Sequence, residues 1–209
     1  PGPPDPAEVL EVFGILRPRP CAIPLVRIGE DGDGGYLVPD DLDGVTACFS
    51  PGVNNIKPFE DHLTDRYGIT CHLCDFSSDP AKFRTPLKEG LQTFRKKWLD
   101  PLPGADNLSL EDWVAELAGP GDLLLQMDIE GAEYRKLLAT PDEVLARFRV
   151  IVLEVHNLEK LTDAGILRSV LAPFFRKLGA AFTCVHVHPN NCCGEFTAAP
   201  GVQIPHVLE

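Results

Sequence analysis

The sequence predicts an α/β protein, a single domain built on an open, doubly wound and mostly parallel sheet. Three observations predict it. Short apolar runs alternate with helical stretches along most of the chain, the order that yields βαβ units. Two of those runs, Asp122 to Asp128 and Val150 to His156, are almost continuously apolar, as strands buried on both faces are. The 209 residues, 44% of them hydrophobic, are enough for one substantial core.

Prolines crowd the first twenty residues around one short helix, Pro6 to Leu16, so residues 1–26 read as an arm and 27–209 as the domain. An acidic glycine loop follows Arg27 and runs into Tyr36. Counted as a calcium loop with Asp31 first and Asp33 third, it places Tyr36 where the obligatory glycine belongs and Leu42 where a Glu belongs, so the EF-hand pattern fails. Gly34 and Gly35 allow close backbone approach, and Tyr36 is a candidate cover for a cofactor or substrate; a plain tight turn is the other reading. Val45 to Ser50 is the first apolar run, closed by Pro51 and Gly52. Lys57 to Tyr67 is helical, and Ile69 to Cys74 is the second run. Lys82 to Trp98 has helical character. Leu108 to Ala118 is a helix with Ser109 as its N-cap. Ala132 to Phe148 is helical with a break at Pro141. A last helix, Asp163 to Leu178, leads into a final strand, Ala181 to His188.

Nineteen Lys and Arg against thirty-one Asp and Glu give a net charge of -12, which repels polyphosphate and argues against nucleic acid as a partner. No apolar stretch approaches the roughly 20 residues of a membrane helix, so no membrane partner is expected. Seven cysteines, an odd number without the spacing of a disulfide scaffold, predict reduced thiols and a cytoplasmic location; no leader-like segment opens the sequence. Cys71 and Cys74 form a lone C-x-x-C within a strand, where residues three apart face opposite sides, which is a poor zinc site.

Open α/β sheets bind ligands at the carboxyl ends of their strands, and each apolar run here ends in polar residues: Ser50 to Asn55, Asp75, Asp128 to Glu133, His156 with Asn157, and His188 to Asn191. Gly52 followed twenty-three residues later by Asp75 fits nucleoside binding, with the glycine admitting the ligand to the backbone and the acid accepting ribose hydroxyls. A single glycine in place of G-x-G-x-x-G disfavours a dinucleotide and leaves a ligand with ribose and no phosphates. Asp128 and Glu130 flank a buried strand end, where carboxylates are costly unless they face a polar cleft or a partner. Glu133, and in part Glu130, also suits the first turn of the next helix. His156 and His188 at strand ends suit proton transfer near neutrality. Asp128, His156 and His188 could alternatively hold a divalent metal ion in mixed oxygen and nitrogen coordination, with Asn157, Asn190 and Asn191 supplying amide hydrogen bonds.

From Arg27 onward the chain resembles the FkbM-type branch of class I S-adenosylmethionine-dependent methyltransferases. The likeness rests on Gly32 to Tyr36, Phe49 to Gly52 with Phe59 and Glu60, Asp75, Leu108 to Asp112, Met127 to Glu133, Leu153 to His156 and His186 to Asn191. The resemblance implies a seven-stranded Rossmann-like sheet. It implies S-adenosylmethionine bound by Ser50, Gly52, Asn54 and Asp75, with Gly34 and Tyr36 nearby. It also implies methyl transfer to an oxygen of a small hydroxylated acceptor such as a sugar or polyketide. In that scheme His156 or His188 is the general base, Asp128 orients the base or the hydroxyl, and Glu130 stands beside them. A non-catalytic module that binds the same nucleoside is the alternative.

Overall fold

A computed structural model describes residues 2–32, 34–102, 104–190 and 192–209, so Asp33 and Asn191 lie outside the described residues. Along the chain come α1 (Pro6–Leu16), β1 (Leu25–Ile28), β2 (Tyr36–Pro39), β3 (Val45–Pro51), α2 (Pro58–Tyr67), β4 (Thr70–Cys74), β5 (Gln92–Arg95), the two-residue strands β6 (Trp98–Leu99) and β7 (Asn107–Leu108), α3 (Leu110–Leu117), β8 (Asp122–Met127), α4 (Glu133–Ala139), α5 (Asp142–Leu145), β9 (Phe148–Leu153), α6 (Ala164–Ile166), α7 (Ala172–Ala181), β10 (Glu195–Ala199) and β11 (Val202–Pro205). Two compact units emerge. The first comprises Pro1–Cys21, Glu130–Leu138 and Glu154–Glu209; the second comprises Ala22–Ile129 and Ala139–Leu153.

The second unit carries a five-stranded sheet in the order β5-β4-β3-β8-β9, every neighbour parallel, which makes the fold α/β and Rossmann-like as expected. The central strands β3 and β8 are buried along almost their whole length, the property that their unbroken apolar sequence announces. Phe49 of β3 is fully buried and meets Trp113 of α3 and Phe148 of β9 edge-on. On another side Cys48, Cys71, Phe59 and Leu63 share a cluster with Ile28, Tyr36 and Val38. The strands β1 and β2 form a separate antiparallel pair.

In the first unit α1 begins where the sequence places it, because Asp5 caps it: the Asp5 carboxylate accepts from Ala7 N–H while Glu8 reaches back to Asp5 N–H. Glu8 pairs with Arg168 and Glu11 with Arg176. The close packing of Ile15 on Gly179 leaves no room for a side chain there, since a Cβ would fall 2.7 Å from Ile15 Cγ2.

Four expectations are corrected. Lys82 to Trp98 is not helical: Pro86 removes a helical donor, Gly90 turns at φ 73°, and Gln92–Arg95 then pairs with β4 as the sheet's edge. Ala181 to His188 forms no strand; α7 continues to Ala181, and the bridges nearby are isolated ones of Val155 and Pro189 with Leu208. The parallel sheet has five strands rather than seven, because Pro200 and Gly201 fold residues 195–205 back into an antiparallel pair of their own. Finally, Cys192 and Cys193 are joined in a disulfide, whereas the other five cysteines are free thiols as expected. Among the described residues no helix is long and apolar enough to cross a membrane.

Candidate functional site

The strand order reverses at β3: β4 and β5 extend to one side, β8 and β9 to the other. The carboxyl ends of β3 and β8 therefore flank the topological switch point, where open α/β sheets take their ligands. Gly52 leaves β3 at φ 84°, and a Cβ on it would lie 1.7 Å from the main-chain oxygen of Asp128 and 3.0 Å from Ile129 Cγ2. Only glycine lets the loop pass across the end of β8. Asp128 sits half-buried at that end, its N–H directed at the Pro51 carbonyl.

Asp75, at the end of β4, holds the same loop. Its Oδ2 accepts from Val53 N–H at 3.2 Å, Asn54 N–H at 3.0 Å and Ser78 Oγ at 2.7 Å, while Oδ1 accepts from Ser77 N–H and Ser77 Oγ. Burial pushes this carboxyl up, but the hydrogen bonds from Ser77, Ser78 and Asn54 outweigh it and hold the pKa below the usual carboxylate value. The rest of the loop is equally committed. Gly52 N–H donates to Cys74 O, Asn55 N–H to Ser78 Oγ and Ile56 N–H to Val53 O, and Asn55 Oδ1 accepts from Asp79 N–H. Each N–H from residue 52 to 56 thus already donates within the protein, so this loop is not an anion-binding nest of the kind that cradles phosphates. Asn54 and Asn55 are both left-handed, a conformation asparagine tolerates better than most residues.

Below the loop the Ser50 side chain turns inward rather than toward solvent. It is fully buried and bonded to Glu60 of α2 and Gln126 of β8. Tyr36 is likewise a core residue whose ring meets Phe59 edge-on at 5.6 Å. Gly34, at φ 79°, would bring a Cβ within 3.0 Å of the Pro58 ring.

In the first unit the chemistry gathers on His156. Its Nδ1 lies 2.7 Å from Glu133 Oε1, and its Nε2 lies 3.5 Å from Glu130 and 3.5 Å from Glu154. Tyr134 donates its hydroxyl to the His156 carbonyl at 2.6 Å, and Asn190 donates to Glu154 at 3.0 Å. Glu133 is fully buried and also accepts from Gly131 N–H, so the carboxylate at the start of α4 both closes its own turn and fixes the imidazole. The turn needs its glycine: Gly131 has φ 96°, and a Cβ would fall 2.2 Å from Asn157 Nδ2. With Nδ1 held by Glu133, Nε2 is the nitrogen presented for proton exchange, toward Glu130 and Glu154. Glu130 and His156 are close enough to share a cation, with ligand atoms within 4.8 Å.

No protein-family model, curated protein or solved structure matches the chain. The chemistry of each unit therefore rests on its own geometry.

Gly52, Asn54, Asp75 and Asp128 come together at one sheet edge, as the sequence reading expects of strand ends, and Glu130 joins His156 in the first unit. His188 does not join them. Its ring stacks on His186 with centroids 6.5 Å apart, and its backbone pairs with Glu209. Burial, followed by the nearby His188, lowers the pKa of His186. Asp33 and Asn191, expected near the ligand, lie outside the described residues. The sequence reading missed Ser77, Ser78 and Gln126, and it took Glu133 for a dipole residue alone. Gln126 carried a signal, being the one polar residue inside the apolar stretch from Leu123 to Met127.

Proposed function

We propose that the chain is an S-adenosylmethionine-dependent methyltransferase acting on a hydroxyl of a small neutral molecule, with the cofactor bound in the second unit at the switch point beside Gly52, Asn54 and Asp128. One observation carries the reading: the loop at the switch point has a glycine-dependent close approach yet offers none of its N–H groups from 52 to 56 to a phosphate. A nucleoside without phosphates suits such a loop, and the resemblance in motif order names S-adenosylmethionine. Asp75 acts on this ligand chiefly by holding the loop, since five hydrogen bonds already converge on its carboxylate. The cofactor supplies a methyl already activated on sulfur. The protein's share is then alignment of the acceptor and removal of one proton. The resemblance gives removal of the proton to His156, whose Nδ1 is held by Glu133 within the first unit. Glu130 and His156 could also hold a divalent ion that lowers the acceptor's pKa.

Titration calorimetry tests the binding half. Heat is expected with S-adenosylmethionine and S-adenosylhomocysteine and none with ATP or NAD; no heat with either of the first two at millimolar ligand overturns the reading. Transfer of labelled methyl to sugars, polyketides or phenols then separates an enzyme from a module that only binds.

His156→Ala is expected to lower turnover by a factor on the order of 100 to 10,000, the usual share of a general base, while leaving cofactor affinity unchanged. Loss of activity in chelator, restored by a divalent ion, would assign the proton's acidity to a metal instead. Undiminished turnover in His156→Ala would move the base elsewhere.

A further inference from the structure

Three oxygens meet inside the second unit. Ser50 Oγ lies 2.7 Å from Gln126 Oε1 and in hydrogen-bond contact with Glu60 Oε1, and the three side chains are at most 5% exposed. A serine hydroxyl has one proton and cannot donate to both acceptors. If Glu60 were a carboxylate, three oxygen atoms would share a single proton in a buried site, leaving one close contact without a hydrogen. One further proton completes the chain: Glu60 Oε1–H donates to Ser50 Oγ, and Ser50 Oγ–H donates to Gln126 Oε1.

We propose that Glu60 is a neutral carboxylic acid whose proton, passed through Ser50, anchors the start of the 52–56 loop, so that ionisation of Glu60 loosens that loop and the ligand site above it. The consequence for the ligand rests on the function proposed above; the protonation of Glu60 does not. The elements around Glu60 carry few compensating charges. On α2 and its N-terminus are Lys57, which is paired with Asp61, and Asp61 itself. Facing Glu60 from β3 is the thiol of Cys48, and from β4 that of Cys71, whose sulfur lies 3.6 Å from the Glu60 carbonyl. Burial dominates and pushes the carboxyl up to about 7, against the pull of the Ser50 bond and of Lys57 and with a smaller push from Asp61. Burial likewise raises the Cys48 thiol well above its ordinary value, so it stays neutral beside Glu60.

The sign of the pH effect follows. A carboxyl whose pKa is raised by folding favours the folded state most when protonated, so its contribution is lost as pH rises from the unfolded value, near 4.5, through about 7. Difference infrared spectra of wild type against Glu60→Gln should show a protonated-carboxyl C=O band at pH about 5.5 that has faded by about a factor of ten at pH 8. Hydrogen exchange at residues 52–56, corrected for its intrinsic pH dependence, should lose about tenfold in protection across the same interval in wild type and none in Glu60→Gln. S-adenosylmethionine affinity should follow the loop.

Absence of the band at pH 5.5, or protection independent of pH in wild type, overturns the proposal. A missing band would mean that the Gln126 amide is turned, its Nε2 donating to Ser50 and Ser50 to a charged Glu60; a band without the exchange effect would mean that the Glu60 proton does not anchor the loop. Both wild-type measurements need no stable variant, the band then being read from the pH difference alone. A protein that shows the band and the exchange effect but binds no S-adenosylmethionine refutes the ligand and leaves the proton carrier standing.

Discussion

Gly52→Ala is expected to lower the free energy of unfolding by about 4 kcal/mol or more and to abolish ligand binding at the switch point. The new Cβ would stand 1.7 Å from the carbonyl oxygen of Asp128, a main-chain atom, and 2.8 Å from its carbonyl carbon. No rotamer relieves such a contact. The backbone has little freedom to retreat, because β3 and β8 are bound in register, Phe49 opposite Leu125, in the middle of the sheet. Moving the loop instead would break the bonds of Val53 and Asn54 to Asp75. Gly90 provides the control, since it has a similar φ of 73° and nothing within 4 Å of its Cβ position. Gly90→Ala measures the conformational cost alone, roughly 1 kcal/mol. Urea unfolding of both variants checks the difference, and a Gly52→Ala protein no less stable than Gly90→Ala would show that the close approach does not constrain the loop.

The parts of this fold that were legible in the sequence are those governed by local chemistry or by burial on both faces. The Asp5 and Glu8 capping box with Pro6 behind it sets the start of α1, and Ser109 sets that of α3 by accepting from Asp112 N–H. The runs ending at Pro51, Cys74, Met127 and Leu153 announce themselves because each is apolar for most of its length. The edge strand β5 is different. Only Gln92 among its residues is buried, so Gln92, Thr93, Phe94 and Arg95 show no apolar periodicity, and their pairing with β4 is decided by the sheet rather than by themselves. Val185, His186, Val187 and His188 alternate as a strand would, yet among the described residues they form no strand, and His188 exchanges backbone hydrogen bonds with Glu209 instead.

At the candidate site the glycine and the acids could be read, because strand ends are positions of known chemistry. What they touch could not. That Ser50 faces Glu60 and Gln126 depends on ten residues of sequence separation in one case and seventy-six in the other, and it emerges only when β3, α2 and β8 are packed. Glu133 lies in a helix's first turn, where its charge has a sufficient local explanation, and its grip on His156 is a tertiary fact.

Asp75→Ala should destabilise the second unit by about 3 kcal/mol or more, because it removes a charged acceptor from N–H groups of Val53, Asn54 and Ser77 and from the Ser78 hydroxyl. Asp75→Asn is expected to be nearly as costly. The native carboxylate receives donors on both oxygens, so an amide in either orientation turns its NH2 toward groups that themselves donate. The pH dependence gives a second, independent signature. Folding lowers the pKa of Asp75, so its contribution is complete above the unfolded value of about 3.9 and is lost as pH falls through the folded one. The stability gap between wild type and Asp75→Ala should therefore be widest near neutrality and narrow as pH falls below the unfolded carboxylate value toward the lower folded one. Glu60 has the opposite sign, so the same urea series on Glu60→Gln should differ from wild type on the alkaline side instead. Because Asp75 grips the loop from the β4 side and Ser50 anchors it from below, Asp75→Ala should weaken the ligand proposed above, whereas Glu60→Gln, neutral at every pH, should keep on the alkaline side the affinity that wild type loses. An Asp75→Ala protein whose stability gap is flat from pH 3 to 7, with cofactor affinity intact, would mean that this carboxylate neither holds the loop nor serves the ligand.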